Sequence, residues 1–378
     1  MKKLSRRHFL KFASAATLAT AAAPSFAAAS SKRQIVFVGT ASAQGILTYA
    51  WDAASGGLTP LGNPAKLDDA STITFSADHK FLFAASELDS FNGKPTGEVS
   101  SFRVAGSALQ PLSARNSAGI GTIHVALDHT GRVLISADYE GGSAASFLVT
   151  GGKLSPAVWS EHYTAHGPDP NQQQSAHAHF VSYSPDNRFA YINDLGGDCI
   201  HIYKLNTETA ALTPAGTYQT KPGAGARTMH FHPNGHTAYS INELNSTVDV
   251  LEWNKTDGSL KLADCIHLLP AGYTGDTHAS DTAISKDGKF VYFANRGNHS
   301  IYLFHADEKT GSLTPGGRFD QNGKTPHNLV LDPTETWMLV ANPDSNQITV
   351  LRRNPLSGEL AREGKSVAAA TPMCILFA

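Results

Sequence analysis

His124, His179, His327, Arg227, Arg296, Glu87, Glu243, Asp281 and Tyr139 are the side chains best placed to do chemistry together, because they fall in two columns of an internal repeat. Imidazoles and carboxylates move protons, and guanidiniums hold an anion that develops during a reaction. Other copies of the repeat carry Ser71, Ala41, Leu195 and Pro343 in the same columns, so the repeat itself does not require charge there. In a chain with only 16% charged residues, acid, base and guanidinium groups converging on a concavity make the default active-site hypothesis. A solvated polar rim is the plain alternative. Serine-nucleophile chemistry has no support, since the chain lacks a Gly-x-Ser-x-Gly elbow. His177 and His179 are spaced i, i+2, with His162, His166, His230 and His232 nearby, which raises a metal site. No HExxH or Cys-rich spacing accompanies them, so neither a metal nor another cofactor is expected. His230 and His232 are read as structural hydrogen-bonding residues of a strand.

The elements that must position these groups follow from the repeat. An apolar hexamer ending in a small or polar residue occurs at 35–40, 81–86, 133–138, 189–194, 237–242, 290–295 and 337–342. Seven copies at intervals of 46 to 56 residues indicate a propeller or a solenoid. About ten residues before each hexamer a segment begins that ends in a turn, as at 179–185, 227–233 and 281–287; a period-2 strand and a Gly-x-Leu segment follow, as at 247–253 and Gly258-Ser259-Leu260. Four short strands per repeat without helical periodicity is one propeller blade. The first repeat lacks its upstream strand, and the chain ends in Met373-Cys374-Ile375-Leu376-Phe377 with no hexamer after it. The last strand is therefore expected to complete blade one and close an all-β, seven-bladed β-propeller. Antiparallel pairing then puts the start of each upstream strand and the end of each hexamer at one mouth. Ser71, Ile123, His179, Arg227, Ser280 and His327 form one ring there, with His124 and Asp281 one residue on. Ala41, Glu87, Tyr139, Leu195, Glu243, Arg296 and Pro343 form the other.

A formal net charge of −2 leaves no basic field to attract nucleic acid or anionic lipid. Ser5-Arg6-Arg7-His8-Phe9-Leu10-Lys11 matches the twin-arginine export pattern, which names the translocation machinery as a transient partner. A mildly apolar stretch at 12–23 and Ser25-Phe26-Ala27 complete a signal peptide over 1–29, cut after Ala27 or Ala29. The stretch is too short for a stable membrane span, so the expected mature domain, 30–378, lies free in the periplasm. Cys199, Cys265 and Cys374 are an odd, scattered set and read as buried thiols.

The sequence resembles the lactonase family of seven-bladed propellers, which includes bacterial 6-phosphogluconolactonases and fungal carboxymuconate cyclases. The stretches that carry the resemblance are His177-Ala178-His179 leading to Ser184-Pro185-Asp186, Asn193-Asp194-Leu195-Gly196, Gly225-Ala226-Arg227 with Phe231-His232-Pro233-Asn234-Gly235, Asn242-Glu243-Leu244, and Asn295-Arg296-Gly297. The resemblance implies a catalytic set of His179, Arg227, Glu243 and Arg296; His124, His327, Glu87, Tyr139, His177 and Asp281, beside them at the mouth, are the substrate-binding candidates. It implies a lactone substrate, opened by water. Family members commonly carry Arg-Gln where this chain has Gln172-Gln173-Gln174, and the missing cation argues against a phosphorylated substrate. Export argues the same way, since gluconolactone can arise outside the cytoplasm. Of the two groups that could take the proton of water, Glu243 is weakened by two guanidiniums, which makes His179 the preferred base. A 6-phosphogluconolactonase, a lactone-forming cycloisomerase and a non-catalytic propeller that binds a ligand or protein are the alternatives.

Overall fold

A computed structural model describes residues 34–62 and 65–378. The twin-arginine segment and its cleavage site lie outside these residues, so the boundary at 29/30 stands as an expectation. Among the described residues no helix is long and apolar enough to cross a membrane.

The apolar hexamers do not alternate, because each is buried on both faces. Phe189–Asp194, Thr237–Asn242, Phe290–Asn295 and Trp337–Asn342 are second strands of four successive blades, and every residue in them is buried. Each faces a neighbouring blade on either side. The apolar side chains accordingly gather in seven clusters, one between each pair of adjacent blades. Tyr239, Ile241 and Val250 of blade five, for example, pack with Val291, Phe293 and Phe304 of blade six.

Seven antiparallel sheets result. Their innermost strands contact one another in cyclic order: Ala70–Phe75, Thr122–Leu127, Ala178–Tyr183, Ala226–Phe231, Ala279–Ile284, Asn328–Leu331 and Pro372–Phe377, the last returning to the first. The C-terminal strand pairs with Gln34–Thr40, the second strand of blade one, and closes the ring as expected. The expected outer segments also fall into place. The Gly-x-Leu signature has a packing reason: Gly258, Gly311 and Gly358 accept hydrogen bonds from the hydroxyls of Tyr191, Tyr239 and Tyr292 in the preceding blade. At Gly258, φ is +80° and a Cβ would lie 2.4 Å from Phe189 Cδ1, so no larger residue fits.

Two further regularities build the mouth. Every innermost strand from blade two to blade six breaks register near its start, between Ala70 and Thr72, Thr122 and His124, Ala178 and Phe180, Ala226 and Thr228, and Ala279 and Thr282. The residues in those breaks include Ser71, Ile123, His179, Arg227 and Ser280, the first ring of the repeat map. A bulge inserts an unpaired residue and turns its side chain away from the ladder. The residue after each hexamer then donates its N–H to the carbonyl two residues before the bulge: Glu87 to Asp69, Tyr139 to Gly121, Leu195 to His177, Glu243 to Gly225 and Arg296 to His278, at 2.7 to 3.0 Å. That bond clamps the second ring beside the first.

Candidate active site

The bulges and clamps deliver their side chains to a cavity of about 890 Å³ at this end of the channel. Nine of the ten candidate residues line it: Glu87, His124, Tyr139, His179, Arg227, Glu243, Asp281, Arg296 and His327. Gln172, the position of the departure from the family pattern, lines it too.

His177 is the exception. Its ring stacks on Tyr139 at 4.4 Å and its Nδ1 lies 2.8 Å from the Tyr139 carbonyl, to which it donates. Its own backbone N–H is held by Asp194 Oδ1 at 2.8 Å. His177 therefore supports Tyr139 and the approach to His179, and the expectation that it touches substrate gives way to a supporting place. Asp194 is also within 4.8 Å of Cys199 and His201, in the one group of three potential metal-ligating side chains found among the described residues. None of the three lines the cavity.

At the centre of the site Glu243 is gripped from two sides. Arg227 Nε donates to Oε2 at 2.8 Å and Arg296 Nη2 approaches Oε1 at 2.5 Å. Burial alone would push the Glu243 carboxyl up, but Arg296, the imidazole of His278 and Arg227 outweigh it and hold the group far below the ordinary carboxylate range. Glu243 is thus a fixed anion.

The two arginines differ in what they have left to offer. Arg227 is 3% exposed and also donates to the Ser280 carbonyl and to His327 Nε2, the latter at 3.2 Å. Burial first, and then Arg296, bring its pKa down to about 10, so it remains a cation. Arg296 is the more open, with a side chain 22% exposed and a buried Nε that has no hydrogen-bond partner among the described residues. Two guanidiniums against one carboxylate leave one net positive charge, and most of the uncommitted donors belong to Arg296.

His327, His124 and His179 are held neutral, and hydrogen-bond partners fix the tautomers of the first two. His327 Nδ1 lies 3.0 Å from the Met373 carbonyl, which can only accept, so Nδ1 carries the proton and Nε2 accepts from Arg227. Burial, then Arg227 and Arg296, depress its pKa to about 3. His124 Nδ1 accepts from the Val181 N–H at 3.2 Å, and burial, then His230, lower it to about 3. Burial and then Arg227 hold His179 well below 6.5. His179 stands edge-on to Tyr139, ring centroids 5.6 Å apart, and its Nδ1 is buried without a hydrogen-bond partner among the described residues. Burial followed by Glu243 and Glu140 raises Tyr139, whose hydroxyl stays a neutral donor.

Asp281 lines the cavity one step below the mouth, with much of its capacity committed. Its Oδ2 accepts from Asn328 Nδ2 at 2.8 Å and from the Leu329 N–H at 2.9 Å, while Oδ1 faces His230 at 3.7 Å. His230 is a lining residue that the sequence reading set aside as structural. Period-2 alternation from Thr228, the first residue after the bulge, would have placed it in the channel. His232 does fit its structural reading: Nε2 lies 2.8 Å from the Gly288 carbonyl and Nδ1 accepts from Asn234. His278 was missed altogether. Its Nδ1 lies 3.6 Å from Glu243 Oε1 and its Nε2 3.2 Å from Asp276, and the nearby Glu243 carboxylate raises its pKa. It precedes the Ser280 bulge by two residues, as His177 precedes His179, so the repeat held the signal.

Comparison with known proteins follows the same lines. Residues 35–377 match the model of the seven-bladed β-propeller lactonases. The 6-phosphogluconolactonase of Bacillus subtilis (strain 168) is 28% identical over 91% of this chain and 98% of its own. That of Formosa agariphila is 30% identical over 84% of this chain and 91% of its own. The structure of the periplasmic gluconolactonase of Pseudomonas aeruginosa superposes with a TM-score of 0.84 at 30% identity, covering 91% of this chain and 98% of that one.

Proposed function

The chain belongs to the lactonase family of seven-bladed β-propellers, hydrolases of lactones, and from that premise we propose that it opens an uncharged aldonolactone, gluconolactone above all, to the aldonic acid in the periplasm. The observation that carries the mechanism is the set of committed partners at the mouth. Glu243 is fixed as an anion between two guanidiniums, and His179 is neutral beside them, its Nδ1 without a hydrogen-bond partner among the described residues.

In this reading His179 takes a proton from water as the water oxygen attacks the lactone carbonyl carbon. The carbonyl oxygen becomes an oxyanion, held chiefly by the free N–H groups of Arg296 and backed by the charge of Arg227. Collapse breaks the bond between the carbonyl carbon and the ring oxygen. The imidazolium of His179 returns its proton to that oxygen, and a hydroxy acid leaves. A histidine whose pKa is depressed is a modest base, yet it is always unprotonated at neutral pH, and its conjugate acid is a strong donor for the departing alkoxide. Glu243 cannot share the base role while both arginines hold it. It aligns them.

Three features support an uncharged substrate outside the cytoplasm: glutamine at 172, the twin-arginine pattern at 5–11, and the similarity to a periplasmic gluconolactonase. The relatives named 6-phosphogluconolactonase favour a second reading, in which the substrate carries a phosphate. Initial rates on glucono-δ-lactone and its 6-phosphate, corrected for spontaneous opening, separate the two. The neutral lactone should have the higher kcat/KM. A preference for the phosphate ester overturns the substrate, and no acceleration of any lactone makes the mouth a binding site. Fractionation of cells making the full chain should find the protein in the periplasm, and an Arg6→Lys/Arg7→Lys variant should stay in the cytoplasm.

A further inference from the structure

Across the cavity from the arginines, a second carboxylate meets no cation. Glu87 follows the hexamer of blade two as Glu243 follows that of blade five, and both line the same cavity. Glu243 is paired with Arg227 and Arg296, whereas Glu87 has no ion-pair partner among the described residues. The carboxylates of Asp69, Asp89 and Glu140 surround it instead. The cyclic order of innermost strands puts blade two three steps from blade five in one direction and three steps from blade six in the other. Glu87 therefore stands on the wall opposite the cationic pair.

A lactone whose carbonyl sits at Arg296 must point its far end across the channel toward that wall. We propose that Glu87 determines specificity by repelling an anionic tail, phosphate or carboxylate, while hydrogen-bonding the hydroxyls of an uncharged one. The inference rests on the lactonase reading of the opposite wall and adds the reason for its substrate class. Burial, and then Asp69, Glu140 and Asp89, push the Glu87 carboxyl up to about 7, so the repulsion grows as the pH rises through neutrality.

The test compares wild type with Glu87→Gln and Glu87→Lys, reading the affinities for gluconate and 6-phosphogluconate by calorimetry as well as kcat/KM on the two lactones. Glu87→Gln should weaken gluconate and gluconolactone, whose far ends are uncharged, and strengthen their 6-phosphates, moving the ratio at least tenfold. Glu87→Lys should move it further. From pH 6 to 8 the phosphorylated ligand should lose ground in wild type relative to Glu87→Gln, a comparison in which the phosphate's own titration cancels. Equal weakening of both ligands, or an unchanged ratio, overturns the proposal. Because affinity is measured apart from turnover, a protein that opens neither lactone but still shows the shift contradicts the hydrolase reading and leaves this one standing.

Discussion

At the scale of single residues the site is defined by which donors are spent. Arg227 is buried and bound to Glu243, Ser280 and His327, so Arg227→Ala removes one of the two cations on a buried carboxylate, leaves the Ser280 carbonyl and His327 Nε2 without their donor, and should cost about 3–5 kcal/mol of stability in denaturant unfolding. Arg296 keeps free donors at a more exposed place, so Arg296→Ala should leave the unfolding midpoint closer to wild type and lower kcat/KM on a lactone by about 100-fold, the usual size for loss of an oxyanion donor. The pH profile offers a separate check. With His179 held well below 6.5, the acid limb of kcat/KM should fall well below pH 6.5, measured where the protein stays folded. An inflection near 6.5 that persists in Glu87→Gln would mean an ordinary, solvated base. The residue types were readable from the sequence, and so was the weakening of Glu243 by two guanidiniums. Which donors Arg227 spends on Ser280 and His327, and how far burial lowers His179, were not, since no spacing reports burial or contacts between blades.

At the scale of elements the reading held best, because propeller strands announce themselves. A hexamer buried on both faces must be apolar throughout, and a turn glycine that receives a neighbouring tyrosine must be glycine, so both recur at the blade period. The bulge was foreseen only as a column of side chains, since an inserted residue leaves no mark on a period-2 pattern. His230 and His278 were missed for related reasons, one across the bulge and the other in the loop before it. The closing strand carries the element-scale prediction. Ile375 is 2% exposed in the cluster that joins blades one and seven, and Ile375→Ala should cost about 2–5 kcal/mol in a single cooperative unfolding transition. A midpoint equal to wild type would mean that the ring does not depend on this strand.

At the scale of the whole molecule the channel keeps its cations to one side: Arg227 and Arg296 stand with Glu243 and Asp281 on the wall of blades five and six, and Glu87, with no ion-pair partner among the described residues, stands on that of blade two. It also stores neutral histidines, which tie stability to pH. His124, His179 and His327 have folded pKa values below the ordinary 6.5, so the unfolded chain binds more protons than the folded one as the pH drops below 6.5. Their contribution to stability is present above 6.5 and is lost on acidification. Glu87, raised to about 7, and His278, raised beside Glu243, work the opposite way; with three histidines lowered by burial, proton uptake on unfolding prevails near pH 5.5. The melting temperature should fall from pH 7 to pH 5.5, and replacing His124 with Gln should flatten the decline. The central claim is that the mouth hydrolyses lactones through His179 and Arg296. Its most direct test is the initial rate of glucono-δ-lactone opening, above the spontaneous rate, by wild type and by folded His179→Ala and Arg296→Ala variants. The account predicts clear acceleration by wild type and at least a tenfold loss in kcat/KM in each variant. Wild-type rates in both folded variants would contradict it.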